Sequence, residues 1–110
     1  MSRETLGNFE LMVLLAILRV DEDAYGVPIA RELEASSGKE ILLGSVYAAL
    51  DRLETKGLVS SRVGDPTPER GGRAKKYFTV TAKGLREVRG THRTLMKLWR
   101  GLPELRAGTA

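Results

Sequence analysis

The sequence predicts a mainly α-helical fold that carries one small β-hairpin. Three observations support this. Apolar residues recur at helical spacing through three segments ahead of Gly57. Two short alternating stretches then flank a loop rich in Gly and Pro, Gly64 to Ala74. Finally, Leu85, Val88, His92, Leu95, Trp99 and Leu102 follow a 3–4 spacing that fits one more helix with an apolar seam.

The chain of 110 residues suffices for one small domain and an extra helix, and its 42% hydrophobic content can build a core. A formal net charge of +4 favours an anionic partner such as nucleic acid. Cysteine is absent, which excludes disulfides, thiolate metal sites and a cysteine nucleophile. The longest apolar run, Leu11 to Leu18, is too short to span a bilayer, and no signal pattern precedes it. A soluble cytoplasmic protein is expected.

Met1 to Thr5 reads as a loose arm. Leu6 to Val20 is apolar nearly all round, so its helix needs cover on more than one face, from its own domain or from a second subunit. Asp21-Glu22-Asp23 connects to a second helix that starts near Tyr25-Gly26, with Pro28 in its first turn. Ile29 and Leu33 lead its buried face, and Ser36 to Lys39 end it. Ile41-Leu42-Leu43 reads as a short extended segment.

The next helix, within Gly44 to Val59, is the centre of the organisation. Val46, Leu50 and Leu53 share one face, Ser45 is a candidate N-cap, and Gly57 stands where a left-handed residue ends a helix. Ser45, Ala48, Ala49 and Arg52 form the opposite face in this reading. Small residues there let backbone approach base edges in a major groove, while the arginine reaches a guanine. A solvated helix face is the plainer alternative.

Strands are predicted over Leu58 to Val63 and Lys75 to Thr81. The intervening loop carries Arg70 and Arg73, followed by Lys75 and Lys76, with no acid from Arg70 to Lys76. Alone, such a loop is either a charged solubilising turn or a phosphate- and groove-binding wing. Directly after a helix-turn-helix, the wing is the better reading. The fold expected is thus a winged helix-turn-helix over residues 1–81, followed by a C-terminal dimerisation helix and short tail over residues 82–110. The expected dimer interface comprises Phe9, Val13, Leu85, Val88, His92, Leu95, Trp99 and Leu102.

The blocks L-G-N-F-E-L-M-V-L-L-A-I-L (Leu6 to Leu18), A-Y-G-V-P-I (Ala24 to Ile29), G-S-V-Y-A-A-L-D-R-L-E-T-K-G-L-V (Gly44 to Val59) and E-R-G-G-R-A-K-K-Y-F-T-V-T-A-K-G (Glu69 to Gly84) occur in order and at suitable spacing. Together the sequence resembles the PadR family of bacterial transcriptional regulators. The resemblance implies a winged-helix dimer that usually represses transcription and leaves its operator when an effector binds. It also implies that Tyr25, Ser45, Tyr47, Arg52, Arg70, Arg73 and Lys75 lie toward DNA. Ala48 departs from the proline many members carry, and the tail beyond Gly84 matches in pattern rather than in residues.

Single residues keep two readings. Arg52 either reads a base or pairs with Glu54 or Asp51 on its own helix. Tyr47 and Tyr25 either contact phosphate or pack. His92, the only histidine, either sets helix register or senses pH; it has no partners for a metal site. Trp99 is either an interface anchor or, paired with its symmetry mate, one wall of a pocket for a small planar aromatic effector.

No cofactor, metal or catalytic residue is expected. The sequence lacks phosphate-binding glycine motifs, H-E-x-x-H and cysteine, so an enzyme is disfavoured. The leading expectation is a dimeric DNA-binding repressor acting on an inverted-repeat operator in double-stranded DNA. Its rival is a winged-helix module that binds only protein, which has no need of a wing this basic.

Overall fold

A computed structural model describes residues 6–64 and 74–106. The element order is α1 (Asn8–Val20), α2 (Gly26–Ser37), α3 (Leu43–Thr55), β1 (Val59–Val63), β2 (Lys76–Val80) and α4 (Ala82–Trp99). Short 3-10 turns, Asp21–Asp23 and Pro103–Leu105, follow α1 and α4. The first three helices pack together, with Val13, Leu14, Ile29, Val46, Leu50 and Leu53 fully or almost fully buried at their junction. That junction is the core that holds the helix-turn-helix, α2 and α3, at a fixed angle.

Each boundary has a local cause. At the start of α1, the Glu10 carboxylate accepts the Gly7 N–H at 3.1 Å. Helix α2 admits Pro28 because its missing N–H falls in the first turn, and it stops at Gly38, which adopts φ +71°. Helix α3 begins one residue before the expected stretch, and Ser45 does not cap it. The Leu42 carbonyl instead accepts the N–H groups of Ser45 (3.0 Å) and Val46 (3.3 Å), which places Ser45 inside the first turn. The expected extended segment is likewise not a strand. Leu43 is helical, and the Ile41 N–H is held by the Glu34 carboxylate at 2.9 Å.

The end of α3 follows the sequence closely. Gly57 takes φ +77°, its N–H donates to the Glu54 carbonyl at 3.0 Å, and the Leu58 N–H donates to the Leu53 carbonyl at 2.9 Å. This pair of bonds is the Schellman motif, and it buries Leu53 and Leu58 together. The chain is thereby turned into β1. Strand β2 returns antiparallel, with Val59 opposite Val80 and Ser61 opposite Phe78. Phe78 and Val80 point into the core, as their alternation predicted. The Phe78 N–H also donates to the Ala24 carbonyl at 2.8 Å, which ties the hairpin to the connector before α2.

Helix α4 starts at a shared joint. Thr81 Oγ1 accepts the Gly84 N–H at 3.0 Å and donates to the Gly57 carbonyl at 2.7 Å, while the Thr81 N–H donates to the Leu58 carbonyl at 3.0 Å. Gly84 lies so close to the Leu58 carbonyl that any Cβ would overlap it. From this joint α4 leaves the domain. Gly84 is its only buried residue, Leu85 and Val88 are half-buried against the core, and from His92 onward every described residue is exposed. No helix among the described residues is long and apolar enough to cross a membrane.

Candidate nucleic-acid interface

Helix α3 presents Ser45, Tyr47, Ala48 and Arg52 outward, all exposed. Ala49 does not join them. It is completely buried, because a residue three after Val46 and four before Leu53 falls on the core side of a helix. Its small side chain lets the helices pack closely and is unavailable to a ligand. Beside the exposed face, Phe9, Ile41, Leu42, Ser45, Ala48 and Arg52 line an open depression. The tip of the Tyr47 ring lies over Gly26, filling the space a side chain there would take. The hydroxyl of Tyr47 is thereby held at the first residue of α2.

Arg52 pairs with neither Asp51 nor Glu54. Its Nε donates to Glu10 Oε2 at 3.0 Å, and Lys56 Nζ donates to Glu10 Oε1 at 2.9 Å. Arg52 in the last turn of α3 and Lys56 at its C-cap, four residues on, thus share one carboxylate from α1. Glu10 is only 5% exposed, whereas 53% of the Arg52 side chain remains accessible. Burial pushes the Glu10 pKa up, but hydrogen bonds from Lys56, the Gly7 N–H and Arg52, with the charge of Lys56, outweigh it. The carboxyl is held below its ordinary value and stays ionised. Sequence reasoning missed Glu10. The available signal was a lone acid in the apolar α1 stretch and two basic residues spaced i, i+4 on α3.

The base of the wing is a stack of rings and cations. Tyr25 and Tyr77 meet edge to face with centroids 5.5 Å apart. Lys75 Nζ lies 4.5 Å above the Tyr25 ring and the Arg62 guanidinium 4.8 Å above the Tyr77 ring. Tyr25 thus packs against Tyr77 with a lysine over its ring while remaining half-buried. Arg62 and Tyr77 were not singled out from the sequence; both lie on strands opposite each other in register. Lys76 turns the other way, toward Glu54, with Nζ to Oε1 at 3.4 Å. Glu54 also accepts the Ser61 hydroxyl at 2.6 Å, and these contacts lower its pKa, the Ser61 bond most. Arg70 and Arg73 lie outside the described residues.

The expected dimer set separates into three groups. Val13 is fully buried in its own protomer's core and cannot contribute to an interface. Phe9, Leu85 and Val88 are half-buried against that same core. His92, Leu95 and Trp99 are exposed along α4, joined by Met96 and Leu98, which the seam did not include, whereas Leu102 is exposed beyond the helix, which ends at Trp99 before the expected seam does. On α1 the exposed apolar residues are Leu15 and Leu18, which border a groove with Met12, Ala16 and Leu33. Trp99 has 52% of its surface open.

Three packed helices, an exposed second helix of the helix-turn-helix and an antiparallel hairpin beside it define a winged helix-turn-helix protein. The family model described as "Transcriptional regulator PadR-like family" matches residues 14–90, and the chain belongs to this family. Among solved structures, it is similar to a PadR family transcriptional regulator from Eggerthella lenta, with 30% identity and TM-score 0.68 over 86% of this chain and 80% of that one. It is also similar to the H. salinarum protein RosR in the complex designated S4, at 27% identity and TM-score 0.68, covering 91% and 79% respectively. A PadR-like transcription factor from Bacteroides fragilis matches at 25% identity and TM-score 0.66, covering 80% and 82%. No curated protein sequence matches the chain. Membership implies DNA-binding regulation of transcription.

Proposed function

We propose that the protein is a dimeric, sequence-specific repressor that binds an inverted-repeat operator and is released by a small-molecule effector. The observation that carries the DNA reading is the exposed face of α3 formed by Ser45, Tyr47, Ala48 and Arg52, to which the wing base adds the half-buried Lys75. Small side chains allow α3 to sit deep in a major groove, and Arg52 offers N–H donors to a guanine edge. Lys75 and Tyr47 meet phosphates, and the charges of Arg70 and Arg73 in the sequence add to the attraction for the duplex. Lys76, drawn toward Glu54, contributes charge more than a direct contact.

The dimer is supported by α4 and the residues just after it, which expose Leu95, Leu98, Trp99 and Leu102 with little cover from their own protomer. A second copy that buries these residues would hold two α3 helices about one duplex turn apart, roughly 34–36 Å. An effector that binds better to a dimer of different helix spacing would lower operator affinity by that differential alone. In this reading Trp99, exposed at the end of α4, contacts such a ligand, and residues 82–110 act as the dimerisation unit.

Selection of duplexes from a randomised pool tests this. The expected product is an inverted repeat with half-sites one turn apart, bound by one dimer. Recovery of single half-sites would refute the dimeric arrangement, and a pool with no enrichment would refute sequence-specific binding.

A further inference from the structure

Arg52 reaches Glu10 across forty-two positions of sequence, and the geometry of that contact restricts what the arginine can do. Nε is committed to Glu10 Oε2 at 3.0 Å, and among the described residues no hydrogen bond engages its terminal Nη groups. Because guanidinium is planar and rigid, fixing Nε also fixes the direction of the outer fork. An untethered arginine would sample many rotamers and lose that freedom on binding. Glu10 is itself held at both carboxylate oxygens. It is almost fully buried, and its other oxygen is held by Lys56 Nζ at 2.9 Å and by the Gly7 N–H at 3.1 Å. The anchor for a residue on the exposed face of α3 therefore sits in the first turn of α1.

We infer that Glu10 is a specificity-positioning residue: it aims the free Nη fork of Arg52 at one guanine, and without it Arg52 binds DNA as an unaimed charge. This rests on the DNA-reading assignment of Arg52 above. The carboxylate also cancels part of the positive charge of Arg52 and Lys56, so its presence lowers affinity for arbitrary duplex while sharpening choice. Positioning and discounting of charge act in the same direction, toward a higher ratio of specific to non-specific binding.

The test uses the full chain and duplexes selected by the wild type, with the guanine of each half-site replaced in turn. Five proteins are compared: wild type, Glu10→Gln, Arg52→Ala, the double variant that combines them, and Ile17→Val, the last a trim of the buried core two turns along α1 from Glu10. In wild type, one guanine is expected to be preferred by about 5- to 150-fold, the range of a good bidentate contact. Arg52→Ala should erase that preference. Glu10→Gln should bring it to within about threefold of the Arg52→Ala value while binding to arbitrary duplex tightens and its salt dependence steepens. Adding Glu10→Gln to Arg52→Ala should change the preference no further. Ile17→Val should lower stability and leave the preference as in wild type, which a merely structural role for Glu10 would not distinguish from Glu10→Gln.

The outcomes separate. A Glu10→Gln protein that keeps the full preference overturns the positioning role even if Arg52→Ala loses it. If Arg52→Ala keeps the preference, the Arg52 assignment and the positioning role both fall. If wild type prefers no sequence, the DNA-reading proposal itself falls with them. Should Glu10→Gln fold poorly, Glu10→Asp, which draws the carboxylate back by one methylene, is expected to give an intermediate preference. Full wild-type preference in that variant would overturn the inference equally.

Discussion

Gly84→Ala should destabilise the protein even though alanine is the better helix former. Within a helix interior the exchange is worth about 1 kcal/mol in favour of alanine. At this joint, however, a Cβ would overlap the Leu58 carbonyl oxygen and stand 2.8 Å from Val80 Cγ1 and 3.1 Å from the Leu58 carbonyl carbon. Ordinary carbon contacts need about 3.5–4.0 Å, so the strand exit and α4 must separate by roughly 1 Å. The Leu58 carbonyl cannot yield freely, because it accepts the Thr81 N–H at 3.0 Å. Overpacking costs about 1–3 kcal/mol, and a weakened hydrogen bond about 1 kcal/mol more. After the propensity gain is subtracted, a net loss of about 1–3 kcal/mol is expected. Urea unfolding at fixed protomer concentration should show a midpoint lower by about 1 M with unchanged slope. Gly90→Ala is the control, since its Cβ would meet only Arg93 Nη2 at 3.9 Å. There the propensity gain stands, and stability should rise by about 0.5–1 kcal/mol. Equal or greater stability for Gly84→Ala would refute the joint as described.

Other expectations follow from the same geometry. Glu10→Gln should cost about 1.5–3 kcal/mol near neutral pH, the range for hydrogen bonds to a charged group. Because the folded-state pKa of Glu10 is held below its ordinary value of 4.5, its contribution is present above that pH and fades as pH falls through the folded value. The gap between wild type and Glu10→Gln in acid-titrated unfolding should therefore narrow on acidification, and a constant gap would count against an ionised carboxylate. Lys75→Ala should weaken binding to all duplexes alike and reduce the slope of log affinity against log salt by about 1, measured by anisotropy at several salt concentrations. Trp99→Ala should raise the dimer dissociation constant by about thirtyfold or more in sedimentation equilibrium, as expected of a central aromatic anchor; an unchanged constant would move the interface away from the end of α4.

The sequence carried the architecture because its signals are local. Helical spacing in α1, α2 and α3, the Gly57 stop and the Phe78–Val80 alternation each depend on neighbours within a few residues, and each element formed where expected. Signals that depend on distant partners were not legible. Ser45 has the chemistry of a cap, but the Leu42 carbonyl, one turn earlier, starts the helix without one. Ala49 looked like part of a small outward face, yet it lies within the arc set by Val46, Leu50 and Leu53, and α1 and α2 cover that arc. Val13 was expected in the dimer interface but is fully buried in its own domain's core, because an all-round apolar helix does not reveal which face its own domain covers. Arg52 had acids nearby on α3, but its partner came from α1, a pairing fixed only by tertiary packing. Tyr25 and Lys75 were identified separately; that one sits above the other emerges only when β2 folds back beside the connector before α2.

The measurement that tests the central claim most directly is the affinity for a duplex taken from immediately upstream of the protein's own coding region, set against random duplex and titrated with salt. The account predicts tighter binding to the upstream fragment, one dimer per site, with a salt slope that reflects several phosphate contacts in both cases. No binding to either duplex at low salt would contradict it and leave a winged-helix fold whose exposed α3 face serves another partner.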